Sequence, residues 1–300
     1  MLHTGSGAID RDSTFFHHKP FKNMAEYFAK NGIAVLRYDK RGIGKSTGNF
    51  SSSSIKDFEQ DLLDAVDFLK TQKVVDPKKI GLLGHSEGGL VAVMASNKSK
   101  EIAFVITMAG PAMPIKHNGA LLFSFLVNEN NNDTEQLEKD RVIFRRFFDI
   151  ATKKKQSKEE QKEAVEIAKK MLPRISEKSK IPLGLTNIDP ELFTKIFTMV
   201  PCIQDFINSD PETYIKNINI PFLAIYGSND VQVPPKENIK ILKKILENGK
   251  TKDFTIKIIQ GYNHLFQKCY TGFPSEYLLD CSPMNEEVLE IIKKWIYEQL

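Results

Sequence analysis

Cysteine is scarce in this sequence: Cys202, Cys269 and Cys281 are the only three in 300 residues, and no two have C-x-x-C spacing. That count excludes a structural zinc ribbon and a full disulfide framework. Cys269 and Cys281 flank one loop, so an oxidising compartment would allow them to pair. Free thiols in a cytoplasmic protein are the simpler expectation. Long apolar runs are missing as well. No stretch approaches the roughly 18 residues that cross a bilayer, and the first residues lack the apolar centre of a signal peptide. Neither sign of charge dominates, because 42 basic residues face 38 acidic ones for a net charge of +4. With no basic stripe interleaved with aromatics, nucleic acid is not an implied partner. No internal repeat is visible, and nothing sets the oligomeric state.

What remains is the composition of an ordinary folded chain, 41% hydrophobic and 27% charged. Its organising stretch is Lys78 to Ala95. Ile80, Leu82 and Leu83 form a short apolar strand that ends at Gly84. His85, Ser86, Glu87, Gly88 and Gly89 follow, and then a helix-forming run from Leu90 to Ala95. Gly84-His85-Ser86-Glu87-Gly88 is G-x-S-x-G between a strand and a helix. A serine on so sharp a turn sits at strained dihedrals. The residues two before and two after it must be nearly free of side chain, so that strand and helix can approach.

Along the chain, apolar spacing predicts a helix over Phe21 to Asn31, stopped by Gly32, and a strand over Ile33 to Leu36. A helix near Ile55 to Thr71 and a strand over Ile102 to Met108 follow. The strands are apolar nearly throughout, as expected of a parallel sheet covered on both faces by helices. From Ala112 to Asn219 no comparable strand occurs. Asn128 to Asn132 reads as a loop, and Lys153 to Lys180 as a solvated amphipathic helix whose lysines form a wet face. Leu192, Ile196, Phe197 and Val200 mark another short helix. Strands return at Pro221 to Tyr226 and Phe254 to Ile259, and helices at Lys236 to Asn248 and Asn285 to Leu300. The expected division is an α/β core of residues 1–111 and 220–300, with residues 112–219 inserted as a helical lid.

In such a sheet functional groups collect at the carboxyl ends of strands. Ser86, Asp230 and His264 each follow a strand, in that order. His264 is the only histidine after Asp230. A serine hydroxyl is a weak nucleophile that needs a base, and the base needs an orienting carboxylate. Ser86 is therefore the expected nucleophile, His264 its base and Asp230 the orienting group. His85, inside the turn, is expected to point away from the serine. The oxyanion is expected to lie on the backbone N–H of Glu87 and on that of Ser6 (or Gly7) in the loop Gly5-Ser6-Gly7.

These residues, together with Asp10-Arg11-Asp12, Arg37-Tyr38-Asp39-Lys40-Arg41-Gly42, Gly227-Ser228-Asn229-Asp230 and Asn263-His264-Leu265-Phe266, make the chain resemble a bacterial α/β-hydrolase. The resemblance is to the carboxylesterase and serine aminopeptidase-like group. It implies cleavage of a small-molecule ester through an acyl-serine intermediate, with neither metal nor organic cofactor. It also implies that Arg37, Asp39 and Arg41 brace the loop beside the site. An aminopeptidase, amidase or acyltransferase on the same residues, or a binding protein on the same fold, are the alternatives. His17 and His18 lack further His, Asp or Glu at metal spacing and read as loop residues near the pocket mouth. Gly42 to Thr47 contains Gly-Lys-Ser, but Asp39 stands where a phosphate loop needs glycine. Asp10 likewise stands where a dinucleotide fingerprint beginning at Gly5 needs its third glycine.

The resembled fold has two strands and most of a third ahead of the oxyanion loop, whereas only Met1 to Thr4 precede Gly5. The expectation is of an N-terminally shortened sequence, from which an upstream signal peptide would also be lost. An apolar gap is then expected between the segment of Ile33 and the strand of Ile80.

Overall fold

A computed structural model describes residues 1–131, 133–153, 155–279 and 283–300. Among these the strands form one sheet in the order β1 (Leu2–His3), β2 (Ile80–His85), β3 (Ile102–Met108), β4 (Phe222–Gly227) and β5 (Phe254–Ile259). Every neighbouring pair is parallel. Successive strand residues point to opposite faces, and both faces are covered. Leu82, Val105, Phe222 and Ala224 pack on one side with α2 (Ile55–Lys70), α3 (Glu87–Lys98) and α11 (Pro235–Glu247). Leu83, Ile106, Leu223 and Ile225 pack on the other with α1 (Pro20–Lys30) and α12 (Glu286–Glu298). Burial on both faces is why the inner strands lack polar alternation. The helix that opens at Ile55 is defined by a capping box. Ser54 accepts from the Asp57 N–H, and the Asp57 carboxylate accepts from the Ser54 N–H.

The expected strand over Ile33 to Leu36 does not form a ladder. The segment meets β1 through a single parallel bridge, Leu2 to Arg37, and the Leu2 N–H donates to the Leu36 carbonyl. A ladder is no longer than its shorter strand, and β1 has two residues. Beside it lies the expected apolar gap, a cleft of about 260 Å³ lined by Leu2, Val35, Gly81, Leu83 and Ile106 among others.

The remaining helices are α4 (Ile115–Val127), α5 (Thr134–Ala151), α6 (Lys158–Met171), α7 (Glu177–Lys180), α8 (Pro190–Met199), α9 (Pro201–Ile207) and α10 (Glu212–Ile215). α4, α5, α6 and α8 share a core of their own with Ile207 of α9, in which Phe123, Phe147, Phe148 and Phe193 meet at ring centroid separations of 5.3–5.9 Å, whereas Ile215 of α10 and Cys202 of α9 pack on the sheet. Of the lysine-rich stretch only Lys158–Met171 is a long helix, opened by the Ser157–Glu160 capping box. Leu172 to Arg174, with Pro173 inside, forms a 3₁₀ turn, because proline removes a helical donor. Asn128 to Asn131 is a turn, as expected, while Asn132 lies outside the described residues.

Candidate active site

Ser86 joins β2 to α3 with φ 55° and ψ −122°. Those are the dihedrals of the first central residue of a type II′ turn, a glycine position occupied here by a serine. The neighbouring glycines make the turn possible. A Cβ on Gly84 would lie 2.0 Å from the Gly88 carbonyl oxygen, and one on Gly88 would lie 2.5 Å from those of His3 and Thr4. Strand and helix therefore touch backbone to backbone. The turn is pinned to the sheet by the Ser86 N–H, which donates to the Met108 carbonyl at 2.9 Å.

Asp230 and His264 stand at the ends of β4 and β5. The His264 imidazole pairs through Nδ1 with Asp230 Oδ2 at 2.8 Å, and both residues are buried. Asp230 is held from behind, because its Oδ1 accepts the N–H groups of Gln232 and Val233 at 2.8 Å each. The His264 loop is held by Asn263, whose Oδ1 accepts from the Leu265 and Gln267 N–H groups. Ser86 and His264 line one cavity of about 360 Å³. No hydrogen bond joins the Ser86 hydroxyl to His264 among the described residues. Such contacts are often long until substrate is bound.

The loop of Gly5 packs on the turn, with space for a Cβ only 3.3 Å from His85 and Ser86 atoms. Gly5 and Ser6 line the cavity. Neither the Ser6 nor the Glu87 N–H donates to another group among the described residues. Glu87 is the first residue of α3, where helical N–H groups have no partner within the helix. One N–H without a partner among the described residues thus follows the serine directly, at a helix N-terminus that favours negative charge, and another belongs to the loop that lines the same cavity.

Among the described residues His85 contacts the base rather than the serine. It lines the same cavity, with its ring centroid 4.8 Å from that of His264. Its Nε2 lies 2.9 Å from the His264 carbonyl oxygen, so it braces the base's loop. The motif leaves this position open, and no sequence signal marked it. Burial, with His264 beside it, lowers the His85 pKa from 6.5 to about 3. Between those values the unfolded chain binds a proton that the folded chain refuses, so stability falls as pH drops through the window. By pH 5 the loss from this one group is about 2 kcal/mol. The stability difference between wild type and His85→Asn, measured by urea melts, is expected to shrink by about that amount from pH 7 to pH 5.

His18 is buried and lines the cavity, whereas His17 is exposed. No group of three or more His, Cys, Asp or Glu able to hold a metal occurs among the described residues. Arg37 pairs with Asp12, Asp39 with Arg11, and Arg41 with Asp61, so these residues tie the loop rather than enter the cavity. The Arg11 guanidinium holds the Asp39 carboxyl well below the usual carboxylate range. Gln232 and Tyr277, which carried no sequence signal, form a further wall and are joined by a 2.7 Å hydrogen bond. Among the described residues Cys202, which is buried, and Cys269 form no disulfide. Cys281 lies outside the described residues, so its pairing does too.

Residues 16–146 match the family model described as serine aminopeptidase, S33. The chain is 26% identical over 297 residues to esterase EstD of Thermotoga maritima, covering 99% of this chain and 61% of that protein. It is 23% identical over 241 residues to an acyl transferase of Photobacterium phosphoreum, covering 79% of this chain and 61% of that protein. The chain thus spans less than two thirds of the length of either relative. Among solved structures, an esterase of Pyrococcus furiosus superposes with a TM-score of 0.58 at 16% identity, over 99% of this chain and 79% of that one. That likeness speaks for the fold.

Proposed function

We propose that this chain, an α/β-hydrolase by fold, is a serine esterase that works through an acyl-serine intermediate. The observation that carries the reading is the Asp230-bound His264 lining one cavity with a serine held on a strained turn. Ser86 Oγ attacks the acyl carbon while His264 Nε2 takes its proton. The proton then passes to the leaving alcohol, and water drawn by the same nitrogen releases the acyl group. Asp230 holds the imidazole with Nε2 toward the serine. The Ser6 and Glu87 N–H groups receive the developing oxyanion, each such donor being worth about 3–4 kcal/mol.

The cavity supports an ester with a short, neutral acyl group. Phe15, Phe21, Met108, Leu183, Leu265 and Met284 line it, and no Asp, Glu, Lys or Arg does so among the described residues. An aminopeptidase needs an anion for the substrate's ammonium group, and burying that cation unpaired is costly. Pro182 and Leu183 come from the helical segment 112–219, which we read as a lid over the site. A second reading, transfer of the acyl group to an acceptor other than water, is favoured by the likeness to the acyl transferase.

A fluorophosphonate probe is expected to modify Ser86, as read by mass spectrometry of the digested protein. A folded chain that takes no label would point to a binding protein instead. With p-nitrophenyl butyrate and an aminoacyl p-nitroanilide as competing tests, kcat/KM is expected to favour the ester at least a hundredfold. The reverse order would replace the esterase reading with a peptidase.

A further inference from the structure

We propose that Lys40 is a positioning residue that locks both oxyanion donors at once, an inference that rests on the esterase reading above. Arg37 and Arg41 are tied to Asp12 and Asp61, the buried Asp39 carboxylate is tied to Arg11, and Tyr38 OH lies 2.7 Å from His3 Nδ1. Lys40 is 1% exposed.

Its ammonium group meets two hydrogen-bond acceptors and two aromatic rings, the farther being Phe50 at 6.0 Å. Nζ donates to the Gly5 carbonyl at 2.5 Å and to Glu87 Oε1 at 2.9 Å, and it sits 4.8 Å from the centroid of the Phe58 ring. The Glu87 side chain is 3% exposed, so both charges are out of water. A buried ion pair is weak support for stability, since apolar residues of the same volume often replace it without loss. Its geometry here has a different use. The peptide between Gly5 and Ser6 is planar and trans, so its C=O and N–H point in opposite directions. Lys40 grips the carbonyl on the back of the peptide whose front carries the Ser6 N–H. The same ammonium holds the side chain of Glu87, whose own N–H is the other donor. One cation thereby fixes the distance between the two N–H groups, and its pull on the Gly5 carbonyl polarises that peptide and strengthens the Ser6 donor.

The test replaces both charges together, Lys40→Met with Glu87→Met, so that neither is left buried alone. With p-nitrophenyl butyrate, kcat is expected to fall on the order of tenfold to a hundredfold while KM stays within about threefold, as when preorganised donors shift. A trifluoromethyl ketone of the same acyl chain, which adds to serine and creates an oxyanion, is expected to lose affinity by the same factor. A folded double variant with kcat and ketone affinity both within about threefold of wild type would overturn the proposal. Should that variant not fold, Glu87→Gln keeps an acceptor in place. It is expected to show the same division between kcat and KM at about three- to tenfold, and an unchanged kcat and ketone affinity in it also overturns the proposal. Failure of the ketone and of the fluorophosphonate to react with wild type would sink the esterase reading itself. Normal reaction of wild type with an unaffected variant sinks only the role of Lys40.

Discussion

Replacing Ser86 with alanine is expected to lower kcat for ester hydrolysis by about 10⁶-fold, to the level that the donors and binding alone supply. The fold should survive, because the side chain that is lost makes no hydrogen bond among the described residues. The backbone contacts that hold the turn, from the Ser86 N–H to Met108 and from the Gly89 N–H to Ser86, do not involve it. Alanine keeps the strain of φ 55°, since it too carries a Cβ. Glycine does not. Ser86→Gly should be as inactive as Ser86→Ala, and more stable by about 1 kcal/mol. That figure is the strain of roughly 1–3 kcal/mol less the extra chain entropy of glycine. Kinetics on p-nitrophenyl butyrate and thermal melts of the three proteins check both halves. An active alanine variant would remove Ser86 from the chemistry. A glycine variant less stable than the alanine one would remove the strain.

The parts of the site that were legible in the sequence are those where sterics or topology leave few choices. Gly84 and Gly88 are forced by a backbone contact that no side chain survives, so the turn shows as a pattern of letters. Asp230 and His264 are found by their order and by their place after apolar strands. The inner strands read correctly because burial on both faces suppresses polar residues. Ile33 to Leu36 shows the limit of that rule. Its apolar run fits a buried strand, but a ladder depends on a partner, and partner length is not a local property. His85 and Lys40 were invisible for a related reason. Their roles follow from what lies opposite them, the His264 carbonyl and the Gly5 carbonyl, 179 and 35 residues away along the chain. The helices α4 and α5 carry phenylalanines that pack on one another, and this pattern has no motif to announce it.

Asp230→Asn tests the least visible of the three catalytic assignments, and its effect follows from the way the carboxylate is held. Oδ1 accepts two backbone N–H groups, from Gln232 and Val233, so an asparagine there must keep its carbonyl oxygen at that position. Its amide nitrogen is then turned to His264 Nδ1, which the Asp230 carboxylate now meets at 2.8 Å. An NH₂ group only donates, so the imidazole must present a lone pair at Nδ1 and carry its proton on Nε2. That nitrogen is the one needed to take the proton of Ser86. The substitution is close to isosteric and leaves the packing around a buried residue unchanged. The expected result is a fall in kcat of about 10⁴-fold at neutral pH, with KM and the melting temperature little altered. Asp230→Ala should lose activity too, but with a lower melting temperature, because two buried N–H groups lose their acceptor at a cost of about 1–3 kcal/mol each. The pair of variants separates orientation of the base from support of its loop. If the asparagine variant keeps a tenth or more of wild-type kcat, Asp230 does not set the tautomer of His264.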